Sequence, residues 1–182
     1  MPLNKLKRYP DLLDIAYMPE RERYVSLRGV FDRDITDNEN FSFRGKRIYP
    51  IKSDGKLDLD REFTHLTTEE VSIEEENGKI VNHRVFDIHR SQRLHWIRTH
   101  VEEKVQDDST IIVFSAIERD KKARKDVIRT YIYNKTRKYV IVLEPQSKSP
   151  AAYFLLTAYY INRGYGEKAL NKRYKKRLAE II

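Results

Sequence analysis

Four β-prone runs in the second half of the chain restrict the fold more than any other feature. The runs are TIIVFSAI (110–117), DVIRTYIYN (126–134), KYVIVLE (138–144) and AAYFLLTAYYI (151–161), joined by ERDKKARK, KTR and PQSKSP. Connections this short join antiparallel neighbours, because a parallel pair needs a crossover of a dozen or more residues. The sequence therefore predicts a four-stranded antiparallel meander.

Helical patterns flank these runs on both sides. Over 88–105 an apolar stripe follows Asp87, which is the predicted N-cap, and its members are Leu94, Ile97, Val101 and Val105. The tail GEKALNKRYKKRLAEII repeats apolar residues at helical spacing beneath a Lys/Arg surface: Leu170, Tyr174, Leu178 and Ile181. The predicted fold class is α+β, with a helix packed on the meander and a basic C-terminal helix.

The first third of the chain is predicted to be rich in β-structure. RYVSLRGVF (23–31) and FSFRGKRIYPI (41–51) are typical of strands, and DITDNEN and SDGK are typical of turns. Further on, TTEE can cap a short helix, but ENGK favours a type I′ hairpin turn between SIEE and IVNHRVF. We expect one domain over 1–182, with a β-rich elaboration at 1–60 and the core at 61–182.

Several classes of function lose support from composition and motifs. The chain has no cysteine, which excludes disulfides, thiolate metal sites and thiol catalysis. It has no Walker A, GxGxxG or GxSxG motif, and His65, His83 and His89 lack carboxylates in ligand register, so we expect neither metal nor cofactor. Without an apolar leader or a membrane-length run, the expected location is the cytoplasm, with no membrane partner.

The formal charge of +8 is unevenly distributed along the chain. Residues 54–87 are acidic, whereas 119–138 and 163–177 are densely basic. A clustered positive surface attracts polyanions, although a charge run also serves simply as a solvated surface. We expect nucleic-acid contacts from the second half of the chain, at Arg124, Lys125, Tyr131, Lys172, Arg173 and Lys176.

Residue types suited to phosphate chemistry occur on the predicted helix and strands. One flank of the 88–105 helix carries His89, Arg93, Trp96 and His100. Histidine can transfer a proton near neutral pH, and arginine can stabilise charge on a phosphate. Arg129 lies on the mixed face of its strand, and Thr157 points the same way as Tyr159. Ordinary structural roles also account for these residues, since Trp packs cores and Thr and Tyr favour strands.

The order of these features resembles the prophage and mobile-element branch of the barnase, EndoU, colicin and RelE-like (BECR) nucleases. The resemblance covers about residues 60–178 and depends on FTHLT, HRSQRLHWIRTH, RTYIYNKTRKYVIVLEP and YFLLTAYYINRGYGEKALNKRYKKR. It implies a metal-independent endoribonuclease. In its reaction the 2′-hydroxyl of the RNA substrate attacks the adjacent phosphate, which leaves a 2′,3′-cyclic phosphate end. The implied partners are RNA, which includes tRNA or another structured RNA, and a cognate inhibitor protein.

The resemblance also implies roles for particular residues. Arg93 and His100 would contact phosphate and transfer a proton, with His89 as a weaker candidate, and Arg129 would neutralise charge on the phosphate. Thr157 would hydrogen-bond the phosphate or leaving group, and Tyr159 would stack or position a base. No histidine follows His100, which leaves the general acid unassigned. The alternative hypothesis is a non-catalytic nucleic-acid-binding or adaptor protein of a mobile element.

Overall fold

Five α-helices and ten β-strands make up the part of the chain that the computed structural model describes, residues 3–121, 123–146 and 151–182. A 3-10 helix (Leu3–Leu6) precedes α1 (Glu20–Phe31), which continues into a π-helix (Asp32–Thr36). Short strands follow: β1 (Ser42–Phe43), β2 (Lys46–Tyr49), β3 (Lys52–Ser53) and β4 (Lys56–Leu57). The remaining elements are α2 (Leu59–Thr67), β5 (Thr68–Glu74), β6 (Ile80–Phe86), α3 (Ile88–Ser91), α4 (Trp96–Val101), β7 (Ile111–Asp120), β8 (Lys125–Asn134), β9 (Tyr139–Gln146), β10 (Ala152–Tyr160) and α5 (Gly164–Lys175).

The main sheet has six strands in the order β1-β2-β10-β9-β8-β7. Strands β7 to β10 are antiparallel neighbours in chain order, and β2 joins β10 in parallel, with Ile48 opposite Tyr153. The prediction of strands within 41–51 is confirmed by β1 and β2, but their addition to the predicted four-stranded meander was not predicted. The α+β class is confirmed, and the sheet is mixed rather than purely antiparallel. The predicted C-terminal helix ends at Lys175, so Leu178 and Ile181 of its predicted apolar stripe lie beyond α5.

The two faces of the sheet are covered differently. One face is buried against helices that precede the meander in the chain, where Ile141, Leu143 and Leu155 share a core with Phe31 and Ile97. The opposite face carries a smaller cluster, which α5 covers through its buried Leu170: Phe114, Tyr131, Tyr133, Val140 and Val142. Because α5 spans only part of this second face, the rest of it remains open as a cleft.

The prediction of a strand at 23–31 is wrong, because these residues form most of α1. Leu27, Val30 and Phe31 are all nearly inaccessible to solvent, and their spacing of 3 and 1 places them on one side of a helix. Glu20 and Glu22 lie in the first turn, where carboxylates stabilise a helix dipole. The apolar residues of RYVSLRGVF fit both the two-residue period of a strand and the 3.6-residue period of a helix. Burial of the helical face against the rest of the protein decides in favour of the helix.

The single helix predicted over 88–105 is divided into α3 and α4. The Asp87 cap is confirmed, since its Oδ1 accepts a hydrogen bond from the Arg90 N–H at 3.0 Å. After α3 the backbone bonds tighten to a spacing of three residues, as in Leu94 N–H to the Ser91 carbonyl. This change of pitch rotates α4 relative to an unbroken helix, so the predicted flank of polar residues does not persist.

The hairpin predicted around ENGK is confirmed as β5 and β6, which pair from Thr68–Phe86 to Glu74–Ile80. Its turn differs from the predicted type I′, because the Glu75 N–H bonds to the Lys79 carbonyl and only Gly78 within the loop has a positive φ, 78°. Such a three-residue loop with glycine in the left-handed region is a common alternative to the two-residue turn. The two strands form their own sheet, separate from the main one.

Candidate nucleic-acid interface

The open part of the sheet forms a cleft of about 620 Å³. Strands β7 to β10 supply its floor, while β3, α2 and α5 supply its rim. The polar, charged and tyrosine side chains that line it are Lys52, Arg61, His65, Glu118, Arg129, Tyr131, Glu144, Thr157, Tyr159 and Arg173. The cleft thus combines four cationic side chains with two carboxylates, an imidazole and hydroxyl groups.

A network around Glu118 organises one wall of the cleft. Its Oε1 accepts a hydrogen bond from the Tyr131 hydroxyl at 2.6 Å and also contacts Nε of Arg173, while Oε2 lies 3.2 Å from Nη1 of Arg129. Burial and the bond to Glu118 raise the pKa of Tyr131, so this phenol remains a donor. Glu118 therefore fixes two guanidinium groups at the same wall, and Nη2 of Arg129 also lies 3.5 Å from Oδ2 of Asp120.

Strand β10 contributes Thr157 and Tyr159 to the cleft through an irregularity in its pairing. The register with β9 shifts between Leu155 and Thr157, so Leu156 is the extra residue of a bulge. As a result Leu155 faces the main core, whereas Thr157 and Tyr159 line the cleft. Bulges commonly redirect side chains next to functional sites.

The Arg90 side chain connects three elements at the edge of the cleft. Its Nη1 donates to the Thr157 hydroxyl at 3.2 Å and to the His65 carbonyl at 2.7 Å. Only 15% of the Arg90 side chain is exposed, and burial lowers its pKa. This guanidinium joins α3, β10 and α2, and so fixes the elements that carry Thr157 and His65.

Helix α2 supplies two cleft residues that the sequence analysis did not assign to the site. Arg61 and His65 lie four residues apart and therefore project from the same side of the helix. Asp58 caps the helix by accepting a hydrogen bond from the Arg61 N–H at 2.9 Å. The available signal was the four-residue spacing of Arg61 and His65 in DREFTH. This spacing identifies cleft residues only when it is known which face of α2 is turned toward the sheet.

Glu144 was also missed by the sequence analysis. It lies near the end of β9, opposite Phe154, and its side chain is half-buried in the cleft. Within residues 3–121, 123–146 and 151–182, its carboxylate has neither a hydrogen bond nor an ion pair, in contrast to Glu118. An uncommitted carboxylate among cations is available for proton transfer.

Two of the residues predicted to be catalytic, His89 and Arg93, lie outside the cleft. They meet Tyr160 at the corner between α3 and β10, where the Arg93 guanidinium lies 4.0 Å from the centroid of the tyrosine ring. The rings of His89 and Tyr160 are 5.8 Å apart. Neither residue lines the cleft, so the structure separates them from Arg129, Thr157 and Tyr159.

His100 lies in the main core rather than on an accessible helix flank. Its Nδ1 is 2.7 Å from the Trp96 carbonyl oxygen and its Nε2 is 3.0 Å from the Asn134 amide, and only 2% of the residue is exposed. Burial lowers its pKa to about 4. A neutral, fully bonded imidazole in this place supports packing, and we do not retain His100 in the candidate site.

The residues predicted to bind nucleic acid fall into two groups. Tyr131 and Arg173 line the cleft, as described above. The other four are exposed: Arg124 and Lys125 at the β7–β8 turn, Lys172 on α5, and Lys176 directly after it. None of these four side chains lines the cleft.

Comparisons with family models, with curated proteins and with solved structures return no match for this chain. The BECR resemblance therefore stays a prediction. Among the described residues there is no group of three or more His, Asp or Glu side chains placed to hold a metal ion. None of the described helices has the length and apolar character required to cross a membrane.

Proposed function

We propose that the cleft binds RNA and cleaves it by attack of the 2′-hydroxyl on the neighbouring phosphate. The observation that carries this proposal is the meeting of His65, Glu144 and the Arg129–Arg173 pair in one open cleft. Proton transfer groups and permanent cations are the two requirements of this reaction. The proposed site keeps Arg129, Thr157 and Tyr159 from the sequence prediction and replaces His100 with His65.

In the proposed reaction Glu144 accepts the proton of the 2′-hydroxyl, and the new O–P bond forms as the bond to the 5′-oxygen breaks. His65, in its protonated form, donates a proton to that leaving oxygen. Arg129 and Arg173 stabilise the charge that develops on the phosphate oxygens. The products are a 2′,3′-cyclic phosphate and a free 5′-hydroxyl, and water later restores the proton balance.

Aromatic side chains in the cleft provide surfaces for bases. Tyr159 and Phe154 both line it, and the Lys52 ammonium lies 5.5 Å from the centroid of the Phe154 ring. Unpaired bases stack on such rings, with a contribution of about 1–3 kcal/mol per base. The proposed substrate is therefore a single-stranded or looped segment rather than a regular duplex.

Purified protein is expected to cleave a single-stranded RNA in EDTA and to leave 2′,3′-cyclic phosphate ends. His65→Ala and Glu144→Gln should each lower the cleavage rate by about 100-fold or more, since general acid–base catalysis contributes roughly that much. His83→Ala is the matched control, because His83 is exposed on the β5–β6 hairpin. Equal rates in the His65 and His83 variants, or intact RNA at high protein concentration, would refute the proposal.

The second candidate is a non-catalytic nucleic-acid-binding protein. The Glu118 network favours it, because both arginines are already engaged by a carboxylate and the cleft then acts mainly as a positive surface. Under this hypothesis, RNA binding is retained by His65→Ala and Glu144→Gln while no variant cleaves. A binding and cleavage assay on the same samples separates the two functions.

A further inference from the structure

A second cavity, of about 260 Å³, lies where the segment before α1, the π-helix and α4 meet. None of the residues that line it also lines the cleft on the sheet. Five of its side chains are cationic and only two are carboxylates, Asp34 and Glu102. The cations are Lys7, Arg8, Arg33, Arg98 and Lys104.

The two carboxylates hold several of the cations in defined positions. Asp34 accepts a hydrogen bond from Nε of Arg33 at 2.7 Å and lies 3.5 Å from Nη1 of Arg98. Glu102 contacts Nε of Arg98 at 2.9 Å and Nζ of Lys104 at 2.7 Å. Both carboxylate side chains are largely buried, at 4% and 12% exposure, so they orient Arg33, Arg98 and Lys104. Lys7 pairs with Asp14 at 2.9 Å, outside the lining, and an excess of positive charge remains at the cavity.

Two N–H-rich groups retain unused donors toward the cavity. Arg8 has no ion pair in the described part of the chain, and the one bond of its guanidinium is a long one of 3.4 Å to the Lys7 carbonyl. Arg98 uses Nε and Nη1 for its carboxylate partners, which leaves Nη2. A guanidinium with free N–H groups matches the geometry of phosphate oxygens.

The wall of the cavity is formed in part by His95, which is incompletely satisfied. Only 3% of His95 is exposed, and its ring lies against backbone groups of Arg8 and Asp11, but within the described residues neither ring nitrogen reaches normal hydrogen-bond geometry. Burial lowers the pKa of His95 to about 4, so the ring is neutral at physiological pH. His95 therefore forms a neutral part of the wall, and the charge of the cavity comes from its lysine and arginine side chains.

The backbone at this cavity is also unusual. Arg33 and Asp34 belong to the π-helix Asp32–Thr36, which directly extends α1. Widened turns of this kind are rare and are often found at functional sites. Here the π-helix presents both residues to the same cavity.

We propose that this cavity is an anion site for a small phosphate-bearing ligand. Its volume is below the roughly 300–1,000 Å³ typical of pockets for drug-sized molecules, which fits a phosphate or diphosphate group better than a whole nucleotide. The proposal does not depend on the activity of the cleft. The phosphate belongs either to a free small molecule or to the end of a nucleic acid.

The test is ligand-dependent thermal unfolding of the full chain at constant ionic strength, with inorganic phosphate or pyrophosphate replacing chloride. A ligand that binds only the folded state raises the Tm in a saturable manner. Arg8→Gln should weaken the apparent affinity about tenfold, which corresponds to loss of one charge-assisted contact. Arg21→Gln, an exposed arginine on α1, is the matched control and should leave the affinity unchanged.

A second variant guards against an effect specific to Arg8. Lys104→Gln should also weaken phosphate binding, while the Tm of both variants without ligand should stay close to that of the wild type. A Tm without saturable dependence on phosphate and pyrophosphate, or an equal response in all variants, would overturn the proposal. A comparison of one oligonucleotide with and without a 5′-phosphate identifies the source of the phosphate. If the protein prefers the phosphorylated oligonucleotide and Arg8→Gln abolishes this preference, the ligand is the end of a nucleic acid. If the protein binds phosphate or pyrophosphate but shows no such preference, the ligand is a free small molecule.

Discussion

Glu62 is a fully buried acid on the side of α2 that faces the core. Its Oε2 accepts a hydrogen bond from the Ile51 N–H at 3.0 Å, and its Oε1 has no partner within the described residues. Burial raises the pKa of Glu62 to about 8. The folded protein therefore holds a proton on this residue at neutral pH, whereas the unfolded chain releases it near its ordinary pKa.

Because the folded state binds the extra proton, Glu62 makes the protein progressively less stable as pH rises from about 4.5 to about 8. Glu62→Gln keeps an acceptor for the Ile51 N–H and removes the titration. We expect the variant to gain stability relative to the wild type over this range, by roughly 1–4 kcal/mol at pH 8. Urea unfolding across pH measures this, with the exposed Glu69→Gln as control. A constant difference between wild type and Glu62→Gln at all pH values would contradict the expectation.

His100 gives the opposite pH dependence. Its folded pKa of about 4 lies below the ordinary value near 6.5, so its stabilising contribution is complete above pH 6.5 and is lost as pH falls toward 4. His100→Asn should lower stability at pH 7 by about 1–3 kcal/mol, because a buried hydrogen bond to Asn134 is lost. It should also reduce the loss of unfolding free energy between pH 7 and pH 5. His89→Asn, on the surface, should change neither quantity.

The direction of a single side chain can be predicted where strand alternation alone decides it. Arg129 was placed on the mixed face of its strand, and it lines the cleft together with Tyr131, which lies two residues further along β8 on the same face. His100 could not be placed, because its burial depends on the break between α3 and α4 and on Tyr9, whose ring lies 5.1 Å away but 91 positions earlier in the chain. Likewise His65 became a candidate only once α2 was seen to pack beside β10.

Among the elements, β10 shows how a one-residue irregularity limits a periodic pattern. Strict alternation puts Leu155 on the same face as Thr157 and Tyr159, but the bulge at Leu156 moves Leu155 to the opposite side. No residue in LLTAYY is a bulge signal by itself, since glycine is absent from it. The prediction that Thr157 and Tyr159 share a face survives only because both follow the bulge.

The β5–β6 hairpin should depend strongly on Gly78. This residue has φ of 78°, a conformation that an L side chain adopts only with strain, although the space around it is open. Gly78→Ala should destabilise the hairpin by about 1 kcal/mol. Gly164→Ala is the control, because that glycine begins α5 with ordinary backbone angles and alanine should stabilise it slightly.

Hydrogen exchange is the suitable measurement for this hairpin. Since β5 and β6 form a separate two-stranded sheet, Gly78→Ala should speed exchange over 68–86 and leave β7 to β10 nearly unchanged. Faster exchange throughout the main sheet would show instead that the hairpin is coupled to the core.

For the whole molecule, the distribution of charge predicts how binding responds to salt. The chain carries a net charge of +8, and α5 with its flanks presents Lys172 and Lys176 beside the open face. RNA affinity should fall steeply as salt rises, and Lys172→Glu with Lys176→Glu should flatten the slope of log Kd against log salt by about one to two. Lys79→Glu, on the acidic hairpin, is the matched control. An unchanged slope in the α5 variant would show that Lys172 and Lys176 of the α5 region do not contact RNA.

The connections between strands were the strongest predictor of architecture. Loops of only a few residues link β7 to β10, and they leave no room for a crossover. The parallel contact of β2 with β10 could not be predicted in this way, because more than 100 residues separate the two strands and no local pattern records such a pairing. Strands β1 and β2 accordingly belong to the main sheet, although they come from the first third of the chain.

That parallel contact has a consequence for the order in which the protein can fold during synthesis. Strand β2 leaves the ribosome early, but its neighbour β10 follows only after nearly the whole chain has been made. Until then the N-terminal helix and strands carry apolar faces without their counterpart, and the nascent chain holds an unpaired strand edge. Slowing translation after β2 but before residue 152 should therefore increase dependence on chaperones, whereas slowing it before residue 42, when neither β1 nor β2 has been made, should not.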